Sequence, residues 1–248
     1  MGKNIDAIKI LIVLNLLFFA GTYFLGFRDE MFQLFALYFP QNQNFNYWQY
    51  VSNMFMHGGY AHIFMNMYGL WAFGSPLEQM WGKKRFLFFY FMAGIGASLI
   101  YTLVNYIQFQ EIFNDLIQLG LTSPEIQKIL ESGEYNSQLN QEYSEEKLEY
   151  FYRLFHTPAV GASGAVYGIL VAFGCSFPNA KLALIFFPVP IAAKYFIPLL
   201  IAIDLFSGVT GFSLFGGGIA HFAHVGGALI GFLLMLYWRR KYKKFCTI

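Results

Sequence analysis

Six apolar segments, each close to the length of a bilayer core, limit the possible folds of this chain more than any other feature. A helix of about twenty apolar residues crosses the hydrocarbon core. The segments cover approximately residues 8–26, 60–81, 86–106, 159–177, 193–209 and 219–238. The composition agrees, because 57% of the residues are hydrophobic and 12% are charged, whereas about a quarter of a soluble domain is charged. The sequence therefore predicts an all-α membrane protein, with six transmembrane helices bundled in a single domain over residues 1–248.

Two connections in this bundle are long. Residues 27–59 form an aromatic-rich first loop, which we expect to lie in the membrane interface. Residues 108–157 form an acidic insertion with nine acidic and three basic residues. Thr122 and Glu125 have the spacing of a capping box, and Gly133 is a suitable helix stop. Ser144, followed by Glu145 and Glu146, starts a second helix. We therefore expect two short amphipathic helices on the membrane surface, with a solvated insertion as the alternative.

The basic residues predict the orientation. They are Lys3 and Lys9, the cluster 83–85, Lys181 and Lys194, and the basic tail 239–248. In a six-span arrangement all of them fall on one face, which the positive-inside rule makes cytoplasmic, so both termini are predicted to be cytoplasmic and the insertion extracytoplasmic. We find no cleavage signature or transit peptide and expect a bacterial inner (plasma) membrane. No basic nucleic-acid patch or phosphate-binding loop is present, so no nucleic-acid partner is expected.

Polar side chains gather at one predicted depth. They are His62, Asn66, Ser163, His221 and His224, and each lies near the start of a span that runs inward from the outer face. At about 1.5 Å per residue, they sit roughly 5 to 10 Å below that face. Polar groups in lipid are costly and usually mark function, so this layer is the candidate site.

Helical spacing assigns faces to these residues. His62 and Asn66 are four residues apart, as are Ser163 and Tyr167, so each pair shares a face. Small residues at Gly164 and Gly168, and again at Gly227 and Gly231, allow the fourth and sixth spans to approach closely. Ser163 and His224 can then come within hydrogen-bond reach.

That approach suggests a nucleophile and its base. A serine hydroxyl becomes nucleophilic when a neutral histidine accepts its proton. Ser163 at a helix start also has unsatisfied backbone N–H groups nearby, and His62 and Asn66 supply side-chain donors for an oxyanion.

At these residues the sequence resembles the rhomboid family of intramembrane serine proteases. The matching stretches are GASGAVYG around Ser163, AHFAHVGGALIG around His224, HGGYAHIFMN ending at Asn66, and Glu78-x-x-x-Gly82. The similarity covers most of residues 45–238. Many family members carry Trp-Arg in the first loop, where this chain has Trp48-Gln49.

The resemblance implies a fold, an activity and a site. It implies a Ser163/His224 catalytic dyad, Tyr167 packed on the His224 ring, and an oxyanion hole formed by His62, Asn66 and the Ser163 backbone N–H. Gly161, Gly164, Gly227 and Gly231 are expected to support the site. The implied partners are single-span membrane proteins, cut near their outer ends, and the surrounding lipid bilayer. Neither a metal nor a cofactor is expected.

Other interpretations remain open at this stage. The GASG motif alone is more typical of helix packing than of catalysis. A metalloprotease would need ligands such as His57, His62, His221 and His224, but the HExxH pattern is missing. A non-catalytic rhomboid-like factor for membrane-protein binding or translocation is the alternative from another class. His221 either faces the site or caps its helix, and Asp204 is expected to be structural because buried carboxylates often join neighbouring helices.

Overall fold

The computed structural model describes residues 6–135, 139, 143–184, 187–212 and 220–241, and within these ranges the chain is mainly helical. The helices are α1 (Ala7–Tyr23), α2 (Arg28–Phe35), α3 (Gln49–Ser52), α4 (Tyr60–Trp81), α5 (Lys83–Gln118), α6 (Ser123–Ser132), α7 (Glu145–His156), α8 (Ser163–Ser176), α9 (Ala193–Thr210) and α10 (His221–Lys241). One antiparallel hairpin pairs β1 (Lys181–Leu184) with β2 (Phe187–Ala192). Most of the predicted basic tail, residues 242–248, lies outside the described residues.

Six of these helices, α1, α4, α5, α8, α9 and α10, occupy the positions of the predicted spans, and the prediction of an all-α membrane bundle is confirmed. Within the described residues, α5, α9 and the first 18 residues of α10 are long and apolar enough to cross a membrane. Helices α1 and α8 are apolar but shorter. Helix α8 is central, because it packs against α4, α5, α9 and α10.

Two helices differ most from their predicted bounds. Helix α5 runs for 36 residues to Gln118, twelve residues beyond the predicted end at Tyr106, because no glycine or proline interrupts it before Gly120. Helix α8 begins at Ser163 and not at Ala159. Ala159 forms an isolated β-bridge with Leu37, and Gly161 has a φ of +129°, which is incompatible with a helix.

The acidic insertion has its own hydrophobic core. We call this the second core, and its buried residues are Phe39, Phe109, Ile112, Leu116, Ile126, Ile129, Leu130, Leu139, Leu148, Phe151 and Leu154. Helices α6 and α7 turn their apolar faces towards each other and towards the extension of α5. The two predicted short helices are present, and their apolar faces are buried inside the insertion. Their location on the membrane surface stays a prediction.

The long first loop is folded back onto the start of α8. The bridge between Leu37 and Ala159 joins the two segments, with N–H···O distances of 2.9 and 2.8 Å. Inside the loop, the fully buried Gln49 amide donates to two carbonyl oxygens and accepts from the N–H groups of Tyr38 and Asn46. Trp48 is 53% exposed and presents its ring at the loop surface, as suits an interfacial segment.

Candidate active site

Ser163 is the first residue of α8, and the turn before it fixes the position of its hydroxyl. Gly161 adopts the positive φ that favours glycine, and its N–H donates to the Asn53 carbonyl over 2.9 Å. The chain therefore enters α8 abruptly from an extended segment. The first turn of a helix has N–H groups without intrahelical acceptors, so Ser163 lies beside unused backbone donors.

His224 in the first turn of α10 contacts the Ser163 hydroxyl. The distance from His224 Nε2 to Ser163 Oγ is 2.9 Å. The Tyr167 ring, one turn after Ser163, stacks on the His224 imidazole with centroids 4.3 Å apart and planes 11° from parallel. A hydroxyl in contact with an imidazole nitrogen is the arrangement by which a serine is activated as a nucleophile.

Glycines bring the two helices together. A methyl group on Gly227 would lie 1.9 Å from the Gly164 carbonyl oxygen, and one on Gly231 would lie 2.6 Å from Gly168 Cα. Since the opposing atoms belong to the backbone, no side-chain movement would make room. The backbones of α8 and α10 are therefore in direct contact below the site, and this contact sets the distance between Ser163 and His224.

His62 faces the same space as Ser163 from α4. A methyl group built on Gly161 would lie 2.7 Å from His62 Nε2 and 3.5 Å from Ser163 Oγ. The Gly58 N–H donates to His62 Nδ1 over 3.3 Å. A neutral imidazole that accepts at Nδ1 carries its proton on Nε2, so His62 presents an N–H donor beside the serine. The absence of a side chain at Gly161 keeps that space open.

Asn66 and His57 surround His62. The Asn66 amide is buried and donates to the His62 carbonyl oxygen over 3.0 Å, so its observed hydrogen bond lies within α4. His57, 1% exposed, packs edge-on against the His62 ring at a centroid distance of 5.1 Å. The structure thus brings His62 to Ser163 and places Asn66 and His57 as neighbours of His62.

Asp204, for which the sequence predicted a structural role, contacts both His224 and His221. Asp204 Oδ1 is 3.1 Å from His224 Nδ1 and 2.6 Å from His221 Nδ1, and Asp204 Oδ2 accepts a hydrogen bond from the Tyr167 hydroxyl. These contacts join Asp204 to the two neighbouring helices, as expected of a structural carboxylate, but the sequence did not identify His224 as its partner. The sequence does show that Asp204 is a carboxylate within an apolar span, which suggests a functional residue. It does not show that the partner is His224, because that contact depends on how α9 is rotated against α10.

Among the described residues, Asp204, His221 and His224 form the group whose ligand-type atoms could share a metal ion. Their atoms lie within 4.8 Å of one another, and neither His57 nor His62 belongs to the group. Hydrogen bonds from both histidines to one carboxylate oxygen account for this closeness. The four-histidine ligand set considered from the sequence is not assembled.

Comparison with known proteins places this arrangement in a family. The sequence model of the Rhomboid domain matches residues 44–121 and 136–241. The chain belongs to the rhomboid family. Residues 122–135, which contain α6, lie between the two matched ranges, so the part of the insertion outside the family pattern is shorter than residues 108–157.

Rhomboid relatives occur in mitochondria and bacteria. The chain is 27% identical over 194 residues to "Rhomboid protein 1, mitochondrial" of Saccharomyces cerevisiae, covering 78% of this chain and 42% of the relative. It is 27% identical over 184 residues to the human "Presenilin-associated rhomboid-like protein, mitochondrial", covering 74% and 36%. It is 26% identical over 204 residues to "Rhomboid protease AarA" of Providencia stuartii, covering 77% and 56%. The chain thus spans about two fifths of the mitochondrial rhomboids it matches.

Proposed function

We propose that this rhomboid is an intramembrane serine endopeptidase that uses Ser163 as nucleophile and His224 as base. The observation that carries this proposal is the 2.9 Å contact between Ser163 Oγ and His224 Nε2, at the start of two helices in a membrane bundle. The bacterial relative AarA is named a protease, which supports the same reaction class.

The reaction would proceed in two steps. Ser163 Oγ attacks a peptide carbonyl carbon while His224 Nε2 takes the hydroxyl proton, and the proton then passes to the leaving amine as the peptide bond breaks. Water next attacks the acyl-enzyme, with His224 again as base, and releases Ser163. The oxyanion that forms in each step would be stabilised by the Ser163 backbone N–H and the His62 Nε2–H, with the Asn66 amide as a further donor.

The proposed substrates are single-span membrane proteins, cut near the outer face of the bilayer. The depth of Ser163, at the first residue of a bundle helix, supports a cut close to a membrane surface and not at its centre. The distribution of basic residues supports cytoplasmic termini, and we propose a bacterial plasma membrane as the location.

The direct test replaces Ser163 by alanine. We expect Ser163→Ala to abolish cleavage of a model single-span substrate while expression and helix content are unchanged. A fluorophosphonate should label Ser163 in the wild-type protein and should fail to label the His224→Ala variant. Undiminished cleavage by Ser163→Ala would contradict the proposal. Substrate binding without cleavage or labelling in the wild-type protein would instead indicate a non-catalytic binding factor.

Chelation separates the metalloprotease alternative. Because the proposed reaction uses no metal ion, we expect EDTA to leave the rate of substrate cleavage and the extent of labelling unchanged. Loss of both on chelation, with recovery on adding Zn²⁺, would favour a metalloenzyme.

A further inference from the structure

Asp204 is a buried carboxylate on an apolar helix. It is 5% exposed, and every hydrogen bond that the structure assigns to it comes from a side chain of the candidate site. A carboxylate removed from water loses its hydration and is retained only when donors replace the water. The donors here come from α8 and α10, so the cost of burying Asp204 is offset by the helices that carry Ser163 and His224.

The contacts of Asp204 determine which nitrogen of His224 carries the proton. An ionised carboxylate can only accept hydrogen bonds, so the 3.1 Å contact from His224 Nδ1 to Asp204 Oδ1 requires the proton on Nδ1. The neutral ring then has its lone pair on Nε2, which is the atom 2.9 Å from Ser163 Oγ. The opposite tautomer would direct an N–H at the serine and could not take its proton.

We propose that Asp204 is the positioning residue of the Ser163–His224 pair. It holds His224 in the tautomer that accepts the serine proton, and its negative charge stabilises the imidazolium that forms when the proton moves. This inference rests on the proposed function. It extends the dyad implied by the sequence to a hydrogen-bonded chain of Ser163, His224 and Asp204, with Tyr167 both stacking on His224 and donating to the carboxylate.

His221 competes with His224 for the same carboxylate oxygen. Its Nδ1 lies 2.6 Å from Asp204 Oδ1, closer than that of His224, but the two imidazole rings are 6.4 Å apart and lie nearly at right angles. A carboxylate oxygen has two lone pairs and can accept from both rings. The contact with His224 Nδ1 connects Asp204, through the imidazole ring, to Nε2, the nitrogen that faces Ser163. His221 contacts the same carboxylate oxygen but does not hydrogen-bond to Ser163.

The test separates orientation from charge with two substitutions. Asp204→Ala removes both, and we expect kcat for a model single-span substrate to fall about 100-fold, which lies within the range of general-base catalysis. Asp204→Asn keeps an oxygen that accepts from His224, while its NH2 group can face the Tyr167 oxygen, so we expect a smaller loss of roughly 10-fold. Since Asp204 does not touch substrate, KM should change by less than about twofold. The rate of fluorophosphonate labelling at Ser163 should fall in parallel with kcat.

Two further variants distinguish positioning from packing. Ser207 lies one turn after Asp204 on α9, is buried, and has no hydrogen-bond partner for its hydroxyl, so Ser207→Ala should leave kcat and labelling unchanged. His221→Asn removes the other ring on the Asp204 carboxylate but leaves His224 in place. We expect its kcat to fall by less than about tenfold, because the contact from Asp204 to His224 remains.

The possible outcomes are distinct. An active wild-type protein whose Asp204→Ala and Asp204→Asn variants keep kcat within threefold would overturn the positioning role and leave the proposed function intact. A loss in His221→Asn as large as that in Asp204→Ala would also overturn it, by showing that the cluster serves helix packing. A wild-type protein that neither cleaves substrate nor reacts with the fluorophosphonate would overturn the proposed function, and this inference with it. The graded loss in kcat at constant KM would support the role.

Discussion

The centre of the bundle and the acidic insertion are packed in opposite ways. Where α8 meets α5 and α10, the contacts are made by small residues: methyl groups added to Gly164 and Gly168 would lie 2.5 and 2.6 Å from the Cβ atoms of Ala97 and Ala93. In the second core the contacts are made by large side chains, such as the rings of Phe109 and Phe151, stacked 4.6 Å apart. One region brings backbones together, and the other fills the space between separated helices.

The difference in packing matches the rules for helix association in lipid and in water. Lipid tails are as apolar as Leu or Phe, so burying large apolar side chains adds little to helix association in a bilayer, and close van der Waals contact between small residues replaces it. In water, each buried aromatic ring adds hydrophobic free energy. The bundle therefore tolerates no added atom near Ser163, whereas the insertion depends on the volume of its side chains.

The largest effect should follow from adding one methyl group between α8 and α10. Gly227→Ala would place Cβ 1.9 Å from the Gly164 carbonyl oxygen, so the helices must separate. A displacement of about 1 Å at a catalytic pair can lower the rate about 100-fold, and we expect at least that loss in kcat together with a lower thermal stability. The matched control is Gly174→Ala in α8, where the nearest atom is the mobile Cδ1 of Ile197 at 3.0 Å. Equal activity of the two variants would show that close approach does not position the site.

A smaller and local effect is expected from removing one ring of the second core. Phe151 is fully buried, and Phe151→Ala should lower the free energy of unfolding of the insertion by about 3–5 kcal/mol. Hydrogen exchange of the α6 and α7 amides should speed up accordingly, while kcat stays within about twofold. Glu146→Ala on the exposed face of α7 is the control and should change neither quantity. A large loss of kcat in Phe151→Ala would show that the two regions do not fold independently.

The smallest effect concerns the capping box of α6. The Thr122 N–H and hydroxyl donate to Glu125 Oε2 over 2.8 and 2.7 Å. These hydrogen bonds, the backbone one most strongly, lower the pKa of the Glu125 carboxyl in the folded insertion. A lowered pKa stabilises the fold at pH values above the ordinary glutamate range, and this contribution is lost as the pH falls through the folded value. Protection of α6 amides should therefore decrease on acidification.

Glu125→Gln provides the comparison for that pH dependence. A glutamine can still accept from the Thr122 N–H but does not titrate in this range. Amide protection in the wild-type protein should exceed that of Glu125→Gln near neutral pH, and the two should converge at low pH. A constant difference across the range would mean that the Glu125 charge does not contribute.

Local rules applied to the sequence predict part of the fold. Periodicity and hydropathy place the six bundle helices, and the capping box places α6, because these signals act within a few residues. Helix α5 continues beyond the predicted end of its span because the polar composition from Gln108 onward suggests the end of a span but does not stop a helix. The burial of the apolar faces of α6 and α7 could not be predicted in this way, because it depends on the extension of α5, which covers them.

The candidate site also combines contacts that the local sequence predicts with contacts that depend on tertiary packing. The approach of Ser163 to His224 could be predicted from helix depth and from glycine spacing, since both depend on counting residues along helices. The contact from Asp204 to His224 could not, because it depends on the rotation of α9. That rotation is set by tertiary packing, including the contact of Gly208 with Phe222, where an added methyl group would lie 3.2 Å from the ring.

Helix α5 connects the acidic insertion directly to the bundle that holds the site. Its 36 residues span about 54 Å at roughly 1.5 Å per residue, which exceeds the hydrocarbon thickness of about 30 Å. The same rod touches α8 through Ala93 and Ala97 and carries the second core at its far end. One continuous helix therefore contributes both to the packing around Ser163 and to the second core, so the position of the insertion relative to α8 is set by α5.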